Sequence, residues 1–485
     1  MNKIFMQSIV IKKVGLLVCA SLLFLAGCSK KKKTLSSGPW KQEKKVRARI
    51  HAPKFPNRKF NITDYGAVGD GKTMNTKAFK KAIAACNKKG GGEVVVPKGV
   101  FLTGAIHLKN NVNLHLNKGA KILFSQNPKD YLPMVFTRYQ GIELMNYSPF
   151  IYARNKKNIA VTGQGVLDGN ADKKHWWPWT GAKEDGWKKG EPNDDAGWAR
   201  LEKMNRKQVP PKKRMFGPGY YLRPNFIQTV DCKNVLISGI TIHHSPMWEI
   251  HPVTSQNVII KGVHIKSLGP NNDGIDPESS KDVLIKNCFF NTGDDCIAIK
   301  SGRNQDGRRI GKPAEDIIVE DSHMKNGHGG IVMGSEVSGG VKNVYAQNLT
   351  MNSPNLDRVL RIKTSSKRGG VIQNIYLRNI QVGTYKQAAI LVNMFYTKPG
   401  NHMPTVRNIQ VDSLNVKNGG KYGILVRAYK KSPVKNLKVT NTTIENVKVP
   451  MKIDHARNIQ FKNVSINGKS YNKRIKIRNK NFKNQ

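Results

Sequence analysis

One short phrase recurs through most of this chain and limits its fold more than any other feature. An Asn or Asp is followed by an alternating Val/Ile run. It reads Asn158-Ile159-Ala160-Val161, Asn234-Val235-Leu236-Ile237, Asn257-Val258-Ile259-Ile260, Asp282-Val283-Leu284-Ile285 and Asp316-Ile317-Ile318-Val319. It continues as Asn343-Val344-Tyr345, Asn374-Ile375-Tyr376-Leu377, Asn408-Ile409-Gln410-Val411, Asn436-Leu437-Lys438-Val439 and Asn458-Ile459-Gln460-Phe461. After a first gap of 76 residues, the spacings fall between 22 and 34. Self-similarity at that period means a solenoid.

Each unit is short, β-branched and alternating, with Asn or Gly at its corners, which is strand-and-turn chemistry. No unit carries a helical stripe, so leucine-rich, ankyrin and helical repeats are excluded. Propeller blades run to about 40–50 residues, longer than these units. The reading is an all-β chain wound as a parallel β-helix, its coils stacked about 4.8 Å apart by strand pairing. An Asn at a repeated corner tolerates the left-handed conformation and can bond its counterpart one coil on.

Two regions break the period. Thr76–Lys88 has one helical stripe (Ala78, Phe79, Ala82, Ile83, Cys86) and suits a short N-terminal helix capping the solenoid edge. Residues 170–228 form an insertion with five of the seven tryptophans: Trp176, Trp177, Trp179, Trp187 and Trp198. Insertions in solenoids become loops on one face. These indoles either stack on sugar rings or form a private core for the loop.

The N-terminus has the order of an export signal. Lys3, Lys12 and Lys13 precede a short apolar run at 14–25, which ends in Leu25-Ala26-Gly27-Cys28. Small residues before a cysteine resemble the lipobox of bacterial lipoproteins, in which Cys28 is lipidated. The expected organisation is a signal peptide at 1–27, a basic tether without fold at 28–59, the solenoid at 60–470 and a basic tail at 471–485. No later apolar stretch is long enough to span a bilayer. An exported protein held by a lipid anchor, in the periplasm or at the outer membrane, is therefore expected. Lysines 30–33 would lie against anionic head groups. Cys86, Cys232, Cys288 and Cys296 show no CxxC pair and no zinc spacing, and read as buried thiols.

The chain carries 82 Lys and Arg against 32 Asp and Glu, a formal charge of +50. Such a surface attracts polyanions: nucleic acid, anionic lipid or an acidic polysaccharide. The motifs choose among them. Asn271-Asn272-Asp273-Gly274-Ile275-Asp276 is followed 21 positions later by Asp294-Asp295, about one coil on. His328, in Gly327-His328-Gly329, comes 34 residues after Asp294, and Arg361-Ile362-Lys363 comes 33 after that. Residues i and i+2 of a strand share a face, so Arg361 and Lys363 point together. The predicted result is a column of carboxylates, an imidazole and two cations along one groove. Close carboxylates cannot all ionise cheaply, so one pKa should rise. A protonated acid beside an ionised base is what glycosidic cleavage needs.

These motifs, in this order, resemble those of glycoside hydrolase family 28, the polygalacturonases and their relatives. The resemblance runs from about residue 60 to 468 and includes Asp64-Tyr65-Gly66-Ala67, Gly90-Gly91-Gly92-Glu93 and Asp168-Gly169. It implies a right-handed parallel β-helix and hydrolysis with inversion, without metal or other cofactor. By likeness, Asp294 is the general acid, Asp273 and Asp295 activate water, and His328 tunes the acid. Arg361 and Lys363 bind a uronate carboxylate, and Asn271 lines the site. Tyr396 is the candidate for a family tyrosine, with Tyr385 as the alternative. Asn272 departs from the Thr of many members. An inverting pair needs about 6.5–9.5 Å between acid and base. The implied substrate is galacturonan, cut from a chain end if the insertion closes the groove, by an enzyme working as a monomer and not binding nucleic acid. The alternatives are a rhamnogalacturonan or xylogalacturonan hydrolase, a calcium-dependent lyase, or a glycan-binding β-helix without catalysis.

Overall fold

The computed structural model describes residues 38–478. Cys28, the leader, lysines 30–33 and the residues from 479 onward lie outside the described residues. All ten phrases form strands of one parallel sheet and pair in a single register. The line runs Ile159, Val235, Val258, Val283, Ile317, Val344, Ile375, Ile409, Leu437, Ile459. These positions point into the solenoid and are buried. The Asn or Asp before each has φ between 53° and 61°. Where it is Asn, its amide bonds the residue one coil back, as in Asn234 Nδ2 to Asn158 Oδ1 at 2.8 Å and Asn408 Nδ2 to Asn374 Oδ1 at 3.0 Å. The corner side chain thus satisfies itself by stacking, which is why the phrase repeats.

A second parallel sheet forms another face and carries the site. Its strands include Ile227–Val230, Ile250–Val253, Ile297–Ile299, Ile331–Met333, Arg358–Lys363, Ala388–Asn393 and Tyr422–Arg427. Ile275 bridges Ile250 to Ile297, making the face continuous. The fold is a right-handed parallel β-helix. Among the described residues no helix is long and apolar enough to cross a membrane. Cys86, Cys232, Cys288 and Cys296 are buried and unpaired.

Both ends of the solenoid differ from the expected boundaries. The segment 28–59, read above as a tether without fold, contains helix α1 at Pro39–Arg47. Trp40, Val46 and Ile50 cover the outward apolar positions Leu236, Ile259, Leu284, Ile318, Tyr345 and Tyr376. Arg47 pairs with Glu320 at 2.6 Å. Arg49 reaches both Asp282 (2.6 Å) and Asp316 (2.8 Å), the two corner positions where Asp replaces Asn and the amide ladder has no donor. Helix α2 spans Thr76–Lys88 and buries Ala78, Phe79, Ala82, Ile83 and Cys86, as the stripe predicts. The tail also folds: Lys469–Arg478 pairs antiparallel with Ala456–Ile466. Asn467 (φ 50°) and Gly468 (φ 72°) make the tight turn between them. A basic strand closing the last coil protects an edge that would otherwise recruit another strand.

The insertion joins two segments from outside it to build a wall over the second sheet. A hairpin, Val135–Tyr139 with Ile142–Asn146, lies beside helix α3 (Asp195–Arg206) and helix α4 (Asn304–Ile310). Arg214 grips Asp306 through two bonds of 2.6 and 3.0 Å, and Asn205 accepts from the Asp306 amide at 3.1 Å.

Candidate active site

The carboxylates stand where turns enter the second sheet. Asp273 precedes Ile275, and Asp294 and Asp295 precede Ile297 on the next coil. Backbone bonds tie the rungs: Gly274 N to Asp295 O at 2.9 Å and His328 N to Asp294 O at 3.0 Å. Gly274 is needed after Asp273, since a Cβ there would lie 2.6 Å from the Cys296 carbonyl. One oxygen from each of Asp273, Asp294 and Asp295 lies within 4.8 Å of the others. That is shorter than the gap expected above for an acid and base flanking a water, because neighbouring rungs of one sheet hold all three.

Each carboxylate has its own partners. Asp294, the one partly open to solvent, has Oδ1 2.8 Å from His328 Nδ1. Asp295 is capped on both oxygens, by Arg361 at 3.0 Å and Lys363 at 2.6 Å. Asp273 meets the buried Lys300 at 3.4 Å. Burial pushes the Asp273 carboxyl well above its ordinary range, and the charge of Asp294 adds to this, with Lys300 opposing. Burial acts on Asp294 in the same sense. There the His328 hydrogen bond and the cations Lys363 and Lys300 outweigh it and hold the group below the usual range. The predicted raised carboxyl exists, but in the free protein it is Asp273. His328 is raised by its hydrogen bond to Asp294. Burial lowers Lys363, yet Asp295 beside it keeps its ammonium raised on balance.

These groups open into a pocket of about 240 Å³, lined by Asn271, Asp273, Asp294, Trp248, Lys363 and Tyr396, among others. One end is blind. The hairpin tip at Gln140-Gly141 sits on Arg303 and Glu336: Arg303 N donates to Gly141 O at 2.9 Å and its guanidinium to Gln140 at 3.0 Å. Gly141 has φ 83°, and a Cβ on it would lie 2.8 Å from Arg303 N. Arg303 also lies over Trp198 of α3, 4.5 Å from the ring centroid. Toward the C-terminal coils the same outward rows continue through Asn393 and Arg427.

A family model for glycosyl hydrolases family 28 matches residues 219–419, the coils that carry this site. A model described as rhamnogalacturonase A/epimerase, pectate lyase-like, matches 59–179. An exopolygalacturonase of Thermotoga maritima superposes with a TM-score of 0.87 at 44% identity, over 91% of this chain and 100% of that one. The chain belongs to glycosyl hydrolase family 28. It is a glycoside hydrolase. The family 28 exopolygalacturonase of Yersinia enterocolitica is 26% identical with a TM-score of 0.71, over 85% of this chain and 75% of that one. An exo-poly-alpha-D-galacturonosidase of Dickeya chrysanthemi is 30% identical, over 69% of this chain and 57% of its own length. A probable polygalacturonase of Vitis vinifera is 28% identical, over 74% of this chain and 68% of its own. The chain thus spans little more than half to two thirds of those two relatives.

In this family 28 protein the column read from the sequence is assembled in one place, and the structure separates the two tyrosines. Tyr396 stands within 5.5 Å of Arg361 and 5.2 Å of Lys363, ring centroid to cation. Tyr385 is buried with its hydroxyl on Tyr422 O at 2.6 Å. Asn271 lines the pocket and accepts from Arg223 at 2.7 Å. Asn272 is wholly buried, accepting from Ser267 Oγ and donating to Ser245 O, so its work is to hold the turn. Four of the five insertion tryptophans pack into hydrophobic clusters, Trp176 against Tyr131 and Phe150 and Trp179 against Tyr147 and Tyr221, while Trp187 is half-buried and donates to Glu191 O at 2.9 Å. The tryptophan that lines the pocket is Trp248, outside the insertion. Lys300, Glu336, Arg303 and Arg368 also escaped sequence reasoning. Lys300 alone had a signal, a charge at an outward position just after Ile297-Ala298-Ile299.

Proposed function

We propose that this enzyme hydrolyses α-1,4-linked galacturonan from a chain end by acid/base catalysis. The hairpin tip carries this reading: Gln140 lines the pocket against Arg303, and a groove stopped there accepts a terminal sugar. The names of the Thermotoga, Yersinia and Dickeya relatives agree with it. Lys363 and Arg361, beside Tyr396, bind a uronate carboxylate. Asp294 delivers a proton to the leaving oxygen. Water attacks the anomeric carbon and gives its proton to Asp273 or Asp295. The Asp294–His328 pair holds a proton in the free enzyme on the imidazole side, and covering the site with substrate moves it to Asp294. Inversion rests on the family resemblance, since the carboxylate spacing alone is nearer that of a retaining pair. The leader ending at Cys28 supports a lipid-anchored, exported enzyme.

The test is a product time course on long polygalacturonate, with rhamnogalacturonan and xylogalacturonan in parallel. Monomer or dimer from the first minutes, with viscosity nearly constant, is expected from polygalacturonate. A rapid viscosity fall with a ladder of oligomers refutes the chain-end reading. Faster release from either of the other polymers refutes the substrate. Proton NMR of the first anomer released reads the stereochemistry.

A further inference from the structure

Beneath the catalytic carboxylates lies a charge cluster that the mechanism above does not use. Lys300 is buried, its Nζ 3.4 Å from Asp273, 3.6 Å from Asp276 and 3.4 Å from Glu336. It donates to Gly334 O at 3.3 Å and sits 4.3 Å above the Trp248 ring. Glu336 has other support as well: Arg303 at 2.6 Å and Ser335 Oγ at 2.9 Å serve its Oε1, while Lys300 donates to its Oε2 at 3.4 Å. For Asp273, Lys300 is the one cation within ion-pair distance among the described residues. Both oxygens of Asp276 are buried without a hydrogen bond, as is Oδ1 of Asp273.

A single cation cannot neutralise three buried carboxylates, and a buried unpaired charge is costly. Burial and then the charge of Asp273 push the Asp276 carboxyl far up, toward its neutral form, and neither of its oxygens has a hydrogen bond. The field of Lys300 is then shared by Glu336, which also has Arg303, and by Asp273, which has no other cation within ion-pair distance among the described residues. Asp273 otherwise faces burial and the charges of Asp294 and Asp295, relieved only from farther off by Lys363. Glu249 on the preceding coil also faces Asp273, and the buried His251–Glu278 pair, 2.8 Å apart, lies within the field of Lys300.

We propose that Lys300 is a positioning residue that orients Asp273 and draws it toward the ionised form that activates water, with no charged Asp276 competing for the cation. This rests on the reading of Asp273 as a base.

The experiment measures kcat and KM against pH on an oligogalacturonide for Lys300→Met, Lys300→Arg, Asp276→Asn and Asp273→Asn. An opposite charge at this distance lowers a carboxyl pKa by roughly 1–3 units. Losing it in Lys300→Met should move the acid limb of kcat/KM up by that amount, with kcat falling more than KM rises. Lys300→Arg should restore the limb. Asp276→Asn should leave it in place, and this arm stands even if Lys300→Met does not fold. A Lys300→Met enzyme with an unmoved limb and only a lower Tm makes Lys300 structural and overturns the proposal. A raised KM with an unmoved limb makes it a substrate contact and also overturns it. A downward limb in Asp276→Asn shows an ionised Asp276 whose charge acted on Asp273, with the same result. If Asp273→Asn keeps near-normal turnover, the base assignment itself has failed, independently of the Lys300 arms.

Discussion

His328 Nδ1 lies 2.8 Å from Asp294 Oδ1, and the His328 amide also donates to the Asp294 carbonyl at 3.0 Å. Two bonds from one residue lock the acid to the next coil, so its proton belongs to a coupled pair.

Replacing Asp294 with Asn removes the proton donor while keeping the shape of the side chain. Turnover should fall by about 10²–10⁴. Binding of a galacturonan oligomer, measured by calorimetry, should persist. Near-normal turnover would refute the assignment.

The pairing also sets a pH signature. The hydrogen bond to Asp294 raises His328 above its ordinary 6.5. The charged imidazolium is thus held as pH rises through 6.5 and is lost only at the higher, folded-state value. An NMR titration should place His328 above 6.5, and in Asp294→Asn the value should drop. An unchanged His328 titration would show that the pair is not coupled.

Lys363→Ala removes a buried cation from Asp295 and from the wall that faces the substrate. A charge-assisted bond of this kind is worth roughly 1.5–3 kcal/mol. kcat/KM on an oligogalacturonide should fall by a corresponding factor, and much less on a neutral aryl galactoside. Equal losses on both would make Lys363 a support for Asp295 alone.

Arg49→Met leaves Asp282 and Asp316 on adjacent corners with no cation bridging them, each keeping one amide donor, Gln256 on Asp282 and Asn343 on Asp316. Half of the arginine is in water, so the loss should be modest, about 1–2 kcal/mol. A lower urea midpoint with kcat/KM unchanged is the expected outcome. No change in the midpoint would mean that α1 is held by Trp40, Val46 and Ile50 alone.

Cys28→Ser should free active enzyme from the membrane fraction. Sedimentation after a high-salt wash is the measurement, because salt screens lysines 30–33. A variant that still sediments would end the lipid-anchor reading.

The repeat was legible because the β-helix makes the same demand at every coil. An inward β-branched residue and a left-handed amide corner recur at each turn, so Ile159 through Ile459 and Asn158 through Asn458 announce the register in one dimension. The catalytic column was legible for the same reason: in a solenoid, sequence separation by one coil is spatial contact. Asp273, Asp294, His328 and Arg361 obey that rule. What escaped the sequence does not. The segment from Trp40 to Ile50, helix α1 and the residues after it, packs across six coils, and its only trace was apolar residues such as Ile259 and Ile318 at outward positions. The blind end joins Gln140, Arg303 and Trp198 from three distant segments, none of which shares a period with the others. Which carboxylate carries the proton depends on burial and on Lys300, Lys363 and His328 together, a field that exists only once the coils are stacked. Periodic local chemistry determined the scaffold and the order of the site. The closure of the groove and the charge state within it came from contacts that only the folded solenoid brings together.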